Sequence, residues 1–377
     1  MTEYKMEKNN FRRISFWSAA VLIYITVIFT TCIHFAYGPD RTIDMDYYFS
    51  APYGQTPTTY SQFYPDKGSL HEHQFKTDIS QFWKLTCVAG DASYYLLQVK
   101  SLNLSIAPYK YRFLPTLIVG LIAQITGWSI PMVFMMMNFT LTLITALLFT
   151  LFLMKYLSFS PTIALFGGVL FITLIANTET LVLPMLEPSS LFCSMLMFIA
   201  LFKKSATFFV LTAIIGIATK EVFVVSSILW FAVYPPSKKF SSIVHTSIIV
   251  AVPIAFFAII RTFLAGHAFE VNYGYNLLAG EFPDYGMRLL SFGSFIHISI
   301  LVFLSFSFLW IGLIRINFNQ IIFRSSIIIP IVVIAAILFS GRIPRVLGIL
   351  FPIIIPSFLF MVNQIIVDRD QLVVPNK

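Results

Sequence analysis

Asp91 follows Gly90 in the stretch Gly90-Asp91-Ala92-Ser93-Tyr94-Tyr95, about twenty residues before Tyr109-Lys110-Tyr111-Arg112-Phe113-Leu114-Pro115. A glycine lets the backbone turn tightly, so an acid just after it can point into a cleft, while Tyr94, Tyr95 and Tyr111 offer flat faces and hydroxyls to a polar ligand. The plainer account of Asp91 is a solvated acid in a turn. A second group is Thr219-Lys220-Glu221, which interrupts two apolar pieces, 207–218 and 221–234, each shorter than a full membrane crossing. Ionisable groups at such a depth pair, line a cavity or do work, which makes Lys220 and Glu221 functional candidates. They also fit an ion pair at a helix tip, although adjacent positions on a helix face different directions. In Leu186-Glu187-Pro188-Ser189-Ser190 an acid precedes a proline at a helix start, where an anion meets the positive end of the helix dipole; capping alone would explain Glu187. Gly341-Arg342-Ile343-Pro344-Arg345 turns the chain and presents two guanidiniums, whose forks suit either a bound phosphate or the headgroups of surrounding lipid.

Such residues need elements to hold them, and composition names the solvent those elements meet. Of 377 residues 58% are hydrophobic and only 11% charged, and there are 40 Phe and 17 Tyr. Ordinary soluble chains carry roughly 25% charged residues. Too few polar side chains exist to cover a water-exposed surface, which rules out a soluble globule and makes the bilayer the solvent. The net charge of +8 does not imply nucleic acid, because the basic residues sit in small groups between apolar runs, as positive-inside charges do.

A spanning helix needs about 20 apolar residues, with every backbone amide paired internally. Segment 14–36 follows Lys5, Lys8, Arg12 and Arg13 and reads as the first transmembrane helix, running outward from a cytoplasmic N-terminus. No signal-peptide cleavage pattern is evident before Gly38. Residues 37–130 form a long outer loop with interfacial helices. Within 131–366 the candidate spans are 131–153, 161–176, 188–202, 207–218, 221–234, 240–265, 291–314, 325–340 and 344–366. If the run from Phe113 to Gly127 crossed the membrane, alternation would put Lys155, Lys203 with Lys204, and Lys238 with Lys239 outside. It is therefore read as lying in the outer interface or re-entering without crossing. The expectation is an all-α polytopic membrane protein, one membrane domain over 1–377 with about ten transmembrane helices and both termini cytoplasmic. Glu187, Lys220 with Glu221, and Arg342 with Arg345 then share the outer face.

Three Cys (Cys32, Cys87, Cys193) make neither a disulfide framework nor a metal knuckle. Of six His, only His71-Glu72-His73 approaches a metal spacing, and its alternation suits a surface strand or turn as well. Gly167-Gly168 suits close helix packing. There is no phosphate loop, dinucleotide fingerprint or nucleophile elbow. Four cations (Arg112, Lys220, Arg342, Arg345) and one acid, Asp91, on one face describe a site for an anionic, lipid-borne group.

This layout resembles the GT-C glycosyltransferases, multi-pass enzymes that take a sugar from a polyprenyl-phosphate carrier. The similar elements are the N-in first helix, the long first outer loop with an acid at Gly90-Asp91, an interfacial helix in that loop, the Tyr111-to-Pro115 segment and the Lys220-Glu221 pair; the closest likeness is to compact bacterial members. The resemblance implies that Asp91 is the catalytic base of an inverting transfer to an acceptor hydroxyl, and that Arg112, Lys220, Arg342 and Arg345 bind the donor phosphate. Glu187 falls on the family's later acid. Partners implied are a polyprenyl-phosphate-linked sugar, a glycan, lipid or protein acceptor and membrane lipids, in a bacterial cytoplasmic membrane with the site on its outer face. The chemistry requires no cofactor and neither demands nor forbids a divalent metal. The sequence departs from the family in having a single Asp after Gly90 where many relatives carry paired acids in the first loop, and in lacking a His-Pro-Pro stretch and a C-terminal soluble domain. Two other readings remain open: a flippase or transporter of a lipid-linked or anionic substrate using the same cations, and a non-catalytic membrane protein of this layout.

Overall fold

A computed structural model describes residues 15–30, 95, 98–99, 111–128, 130–176, 185–264, 300, 302–303, 306–339 and 347–373. Among them all regular structure is helical: α1 (Ser15–Thr30), α2 (Phe113–Thr126), α3 (Ile130–Tyr156), α4 (Pro161–Ala176), α5 (Glu187–Phe202), α6 (Ala206–Thr219), α7 (Phe223–Ser226), α8 (Ile228–Val233), α9 (Phe240–Leu264), α10 (Gln320–Ser325), α11 (Ile328–Phe339) and α12 (Phe351–Val373), with 3-10 helices at Ser307–Phe318 and Gly348–Leu350. This bears out the all-α expectation. Three helices are long and apolar enough to cross a membrane: Met132–Tyr156, Phe240–Leu264 and Gly348–Ile365.

The remaining apolar helices are shorter, and two expected spans are broken. Residues 221–234 form a turn followed by α7 and α8, and 325–340 falls across the α10–α11 break. Two of the helix boundaries have local causes. Lys220 adopts an extended conformation (φ −159°, ψ 125°) that ends α6. Asn319, also extended, starts α10 by accepting hydrogen bonds from the Ile321 and Ile322 amides at 2.9 and 3.2 Å. Such a cap supplies partners for amides that have none within the helix.

The helices share one apolar core. The 3-10 helix 307–318 lies along α12, α3 packs against α4 and α5, and α5 forms an antiparallel pair with α6. Of the most apolar stretch of α12, 67% is buried inside the chain, against 17% for α9, so α12 is central and α9 peripheral. Backbone-close contacts use glycine. A Cβ at Gly312 would lie 2.3 Å from the Phe358 backbone nitrogen, and one at Gly168 would lie 1.9 Å from the Tyr24 hydroxyl. The expectation of tight packing at Gly167-Gly168 is thus borne out, since Gly167 also abuts Leu153 and Leu359. In a bilayer, where lipid tails are as apolar as Leu, such close approach supplies much of the helix association.

Side-chain contacts orient the helices. Tyr24 hydrogen-bonds Thr150 and Phe29 meets the Phe139 ring, so α1 is antiparallel to α3 and starts near the Lys155 end of it. The rings of Phe152 and Tyr156 meet Phe202, which brings Lys155 to the same end as Lys203 and Lys204. The Tyr234 hydroxyl donates to the Leu201 carbonyl, and the Arg324 guanidinium donates at 2.8 Å to the carbonyl of Val233. Phe159 meets Phe318, three residues past Arg315. The basic groups of the connections therefore collect at one end of the bundle. α2 stands apart in another respect. It buries Pro115, Thr116, Val119, Gly120 and Ala123 but exposes Leu117, Ile118, Leu121, Ile122 and Ile125, an apolar outward face without a charge.

Candidate functional site

The opposite end of the bundle is built from the N-termini of α2 and α5 and the C-termini of α6 and α9. Glu187 opens α5, with Pro188 in the first turn, where a fixed φ suits the helix start and the carboxylate meets the positive end of the dipole. Lys220 arrives there because α6 stops: its own amide still donates to the Gly216 carbonyl at 2.7 Å, but its extended backbone leaves the helical path. The chain then turns through Phe223 N–H to Lys220 C=O at 3.1 Å and Val224 N–H to Glu221 C=O at 3.0 Å. Gly216 makes room for that return, since a Cβ there would come within 2.5 Å of the Phe223 ring. Lys220 and Glu221 are thereby held on a turn instead of inside a helix, which lets neighbouring side chains reach different partners.

They do so. The Lys220 ammonium donates to Glu187 Oε1 at 3.2 Å, with both side chains buried. The Arg112 guanidinium takes Glu221 in a fork, Nε donating to Oε2 at 2.6 Å and Nη2 to Oε1, while Nη1 donates to the Tyr95 hydroxyl at 2.6 Å. The result is an alternating row: Glu187, Lys220, Glu221, Arg112 and the Tyr95 hydroxyl. Arg112 and Glu221 lie in turns outside the helices. Burial opposes ionisation of the Glu221 carboxyl, but the Arg112 charge and hydrogen bonds outweigh it and hold that carboxyl below its ordinary range. Low local dielectric strengthens each attraction here and makes each lost partner costly.

Of the sequence candidates, Tyr95, Tyr111, Arg112, Glu187, Lys220 and Glu221 are brought to this one end. Asp91, Tyr94, Arg342 and Arg345 lie outside the described residues. The helix-tip reading of Lys220 and Glu221 gives way to pairing with α5 and with the segment before α2. Arg112 and Lys220, expected as phosphate ligands, each hold a carboxylate. Glu187 stands in the first turn of α5 as expected, but the N-cap is Leu186 without a side-chain cap hydrogen bond, and the Glu187 carboxylate holds Lys220.

Sequence reading passed over Arg261. It sits exposed in the last turn of α9, its guanidinium carbon 5.4 Å from the centre of the Tyr111 ring and 5.7 Å from that of Phe257. The signal was available: a cation in the final turn of a long apolar helix, four residues after an aromatic. A Cβ at Gly348, which begins the 3-10 helix before α12, would lie 3.2 Å from the Leu191 side chain, one turn along α5 from Glu187. Among the described residues no three His, Cys, Asp or Glu side chains form a metal-binding group. The arrangement can hold charge in a buried polar row beside lipid-exposed apolar surface. No family model matches this chain, and neither a curated protein nor a solved structure matches it significantly.

Proposed function

We propose that this chain is a membrane glycosyltransferase that moves a sugar from a polyprenyl phosphate to an acceptor hydroxyl on the non-cytoplasmic face, with inversion. Its membrane character rests on the three long apolar helices; about ten crossings, a bacterial cytoplasmic membrane and cytoplasmic termini belong to the proposal. The observation that carries it is the gathering of Arg112, Lys220, Glu187, Glu221 and Tyr95 at the end of the bundle remote from the lysine-bearing turns. A one-sided polar site is what transfer from a lipid carrier needs, whereas transport needs polar groups along the whole path.

In the reaction, the Asp91 carboxylate accepts the proton of the acceptor hydroxyl as its oxygen bonds to the sugar C1. The C1–O bond to phosphate breaks on the opposite face, and the polyprenyl phosphate leaves with both electrons of that bond. Arg112 and Lys220, with Arg342 and Arg345, stabilise its charge, which is most effective where water is excluded. The carboxylates of Glu187 and Glu221 fix the two cations in position before the donor arrives, so that little reorganisation accompanies charge development. Residues Tyr94, Tyr95 and Tyr111 border the sugar or carrier. These residues call for no cofactor.

The test is transfer of labelled sugar from a polyprenyl-phosphate donor by full-length protein in liposomes. Asp91→Asn is expected to lose about 10²–10⁴ in rate, the usual contribution of a general base, while still binding donor. Wild-type turnover in that variant overturns the base assignment. Passage of intact donor across the bilayer without transfer would favour the flippase reading.

A further inference from the structure

We propose that Arg261 is a binding residue for the phosphate group of an anionic lipid, reached from the bilayer beside Tyr111. Three observations carry it. First, the two buried cations of the site are committed to carboxylates: Arg112 is gripped in a fork by Glu221, and Lys220 holds Glu187. Among the described residues the two anions and two cations of this row offset one another. Second, Arg261 is close to that row without being part of it. Its guanidinium lies against the ring of Tyr111, the residue next to Arg112 in the chain, and its other neighbour is Phe257 on its own helix. Aromatic rings orient a guanidinium through their π faces while leaving its N–H edges available to an anion. No carboxylate among the described residues forms an ion pair with it.

Third, its setting is a lipid boundary. Arg261 is exposed on α9, the most peripheral of the three long helices, among Ile259 and Phe263, which are 65% and 84% exposed. Apolar groups that open face acyl chains, and an arginine in the last turn of such a helix reaches the headgroup level, where phosphates are. Planar, bidentate N–H groups match phosphate oxygens better than an ammonium does. The inference deepens the reading above, resting on it for the possibility that the lipid is the sugar carrier. A bulk anionic phospholipid presents the same phosphate chemistry.

The experiment uses full-length protein in phosphatidylcholine nanodiscs, with intrinsic tryptophan fluorescence read during titration with farnesyl phosphate, farnesol and inorganic phosphate, and separately with phosphatidylglycerol mixed into the disc. Arg261→Gln is expected to weaken binding of at least one lipid phosphate about tenfold, equivalent to the loss of one charge-assisted contact. Arg261→Lys should recover part of it, and Lys204→Gln at the opposite end should change nothing. A loss confined to farnesyl phosphate assigns the residue to an isoprenoid carrier; a loss confined to phosphatidylglycerol assigns it to bulk lipid. Equal affinity of wild type and Arg261→Gln for both lipids overturns the proposal, as does recognition of farnesol as strong as that of its phosphate. The same titration on Asp91→Asn separates the two readings, because binding retained without transfer leaves Arg261 assigned whatever happens to the catalytic one.

Discussion

The two ends of this helical bundle handle charge in opposite ways. At one, Lys155, Lys203, Lys204, Lys238, Lys239, Arg315 and Arg324 lie in or beside connections, and no ion pair joins any of them to an acid among the described residues. They interact with rings and carbonyls: Lys155 with Tyr156, Lys203 with Phe208, Arg324 with the Val233 carbonyl. At the other, Arg112 and Lys220 are each matched by a carboxylate, and both pairs sit largely out of water. Unmatched cations are stable where water or anionic headgroups can solvate them, whereas buried ones need a partner within contact distance. One end therefore carries cations without carboxylate partners among the described residues, the other cations paired within the chain.

That contrast can be broken most decisively by labelling. With Cys32 and Cys193 changed to Ser, an impermeant thiol reagent applied to intact cells should modify Cys87 fully, and a cysteine placed by Lys204→Cys only after permeabilisation. Modification of both from one side would remove the polarity on which the topology rests. In thermal unfolding of purified protein, Glu221→Gln removes the carboxylate from the Arg112 fork; with the Glu221 side chain 28% exposed, the loss should cost about 2–3 kcal/mol. Replacing both by apolar residues of similar size should restore most of that. Gly168→Ala, which forces a methyl group onto Tyr24, should lower stability by about 1–3 kcal/mol as overpacking. The same substitution at Gly127 meets no neighbour and is opposed only by its φ of 69°, about 1 kcal/mol. At the far end, Lys203→Gln should change stability by less than about 0.5 kcal/mol.

Acid should also discriminate between the ends. The Glu221 carboxyl has a folded-state value below its ordinary one, so its contribution to stability is complete above the ordinary value and is lost as pH falls through the lowered one. Glu221→Gln should flatten the acid limb of the unfolding midpoint against pH; Lys203→Gln should leave it as in wild type. An unchanged limb in Glu221→Gln would mean that the Arg112 fork does not form in the folded protein.

Much of the architecture was legible in the chain because hydrophobic length is a local property. The composition excluded a water-soluble globule, and the long apolar runs at 131–153, 240–265 and 344–366 became long helices. The charge-parity argument from Lys155, Lys203 and Lys238 agrees with the clustering of those turns at one end. The break at Lys220-Glu221 was read from its charges; what the sequence did not show were the interruptions at Ser227, inside 221–234, and at 326–327, because Val, Ile and Ser there carry no strong stop signal. After Lys220 the chain brings the Phe223 ring over Gly216, a contact visible only once the chain has turned.

The candidate site divides along the same line. Residue types and depth marked Lys220 and Glu221 as unusual, since ionisable groups flanked by apolar helices are rare whatever their partners. Their pairing was decided by tertiary structure: adjacent residues on a turn point apart, so Lys220 went to Glu187 on a neighbouring helix and Glu221 to Arg112, 109 positions earlier. Arg261 shows the reverse. Its charge was written in the sequence, but its meaning came from the Tyr111 ring beside it. The sequence by itself determined that this protein lives in a bilayer and which of its charges stand in unusual places, because both follow from local solvation. Only the folded chain decided which charges neutralise one another and which does not, because that is fixed by distances between helices that the order of residues does not set.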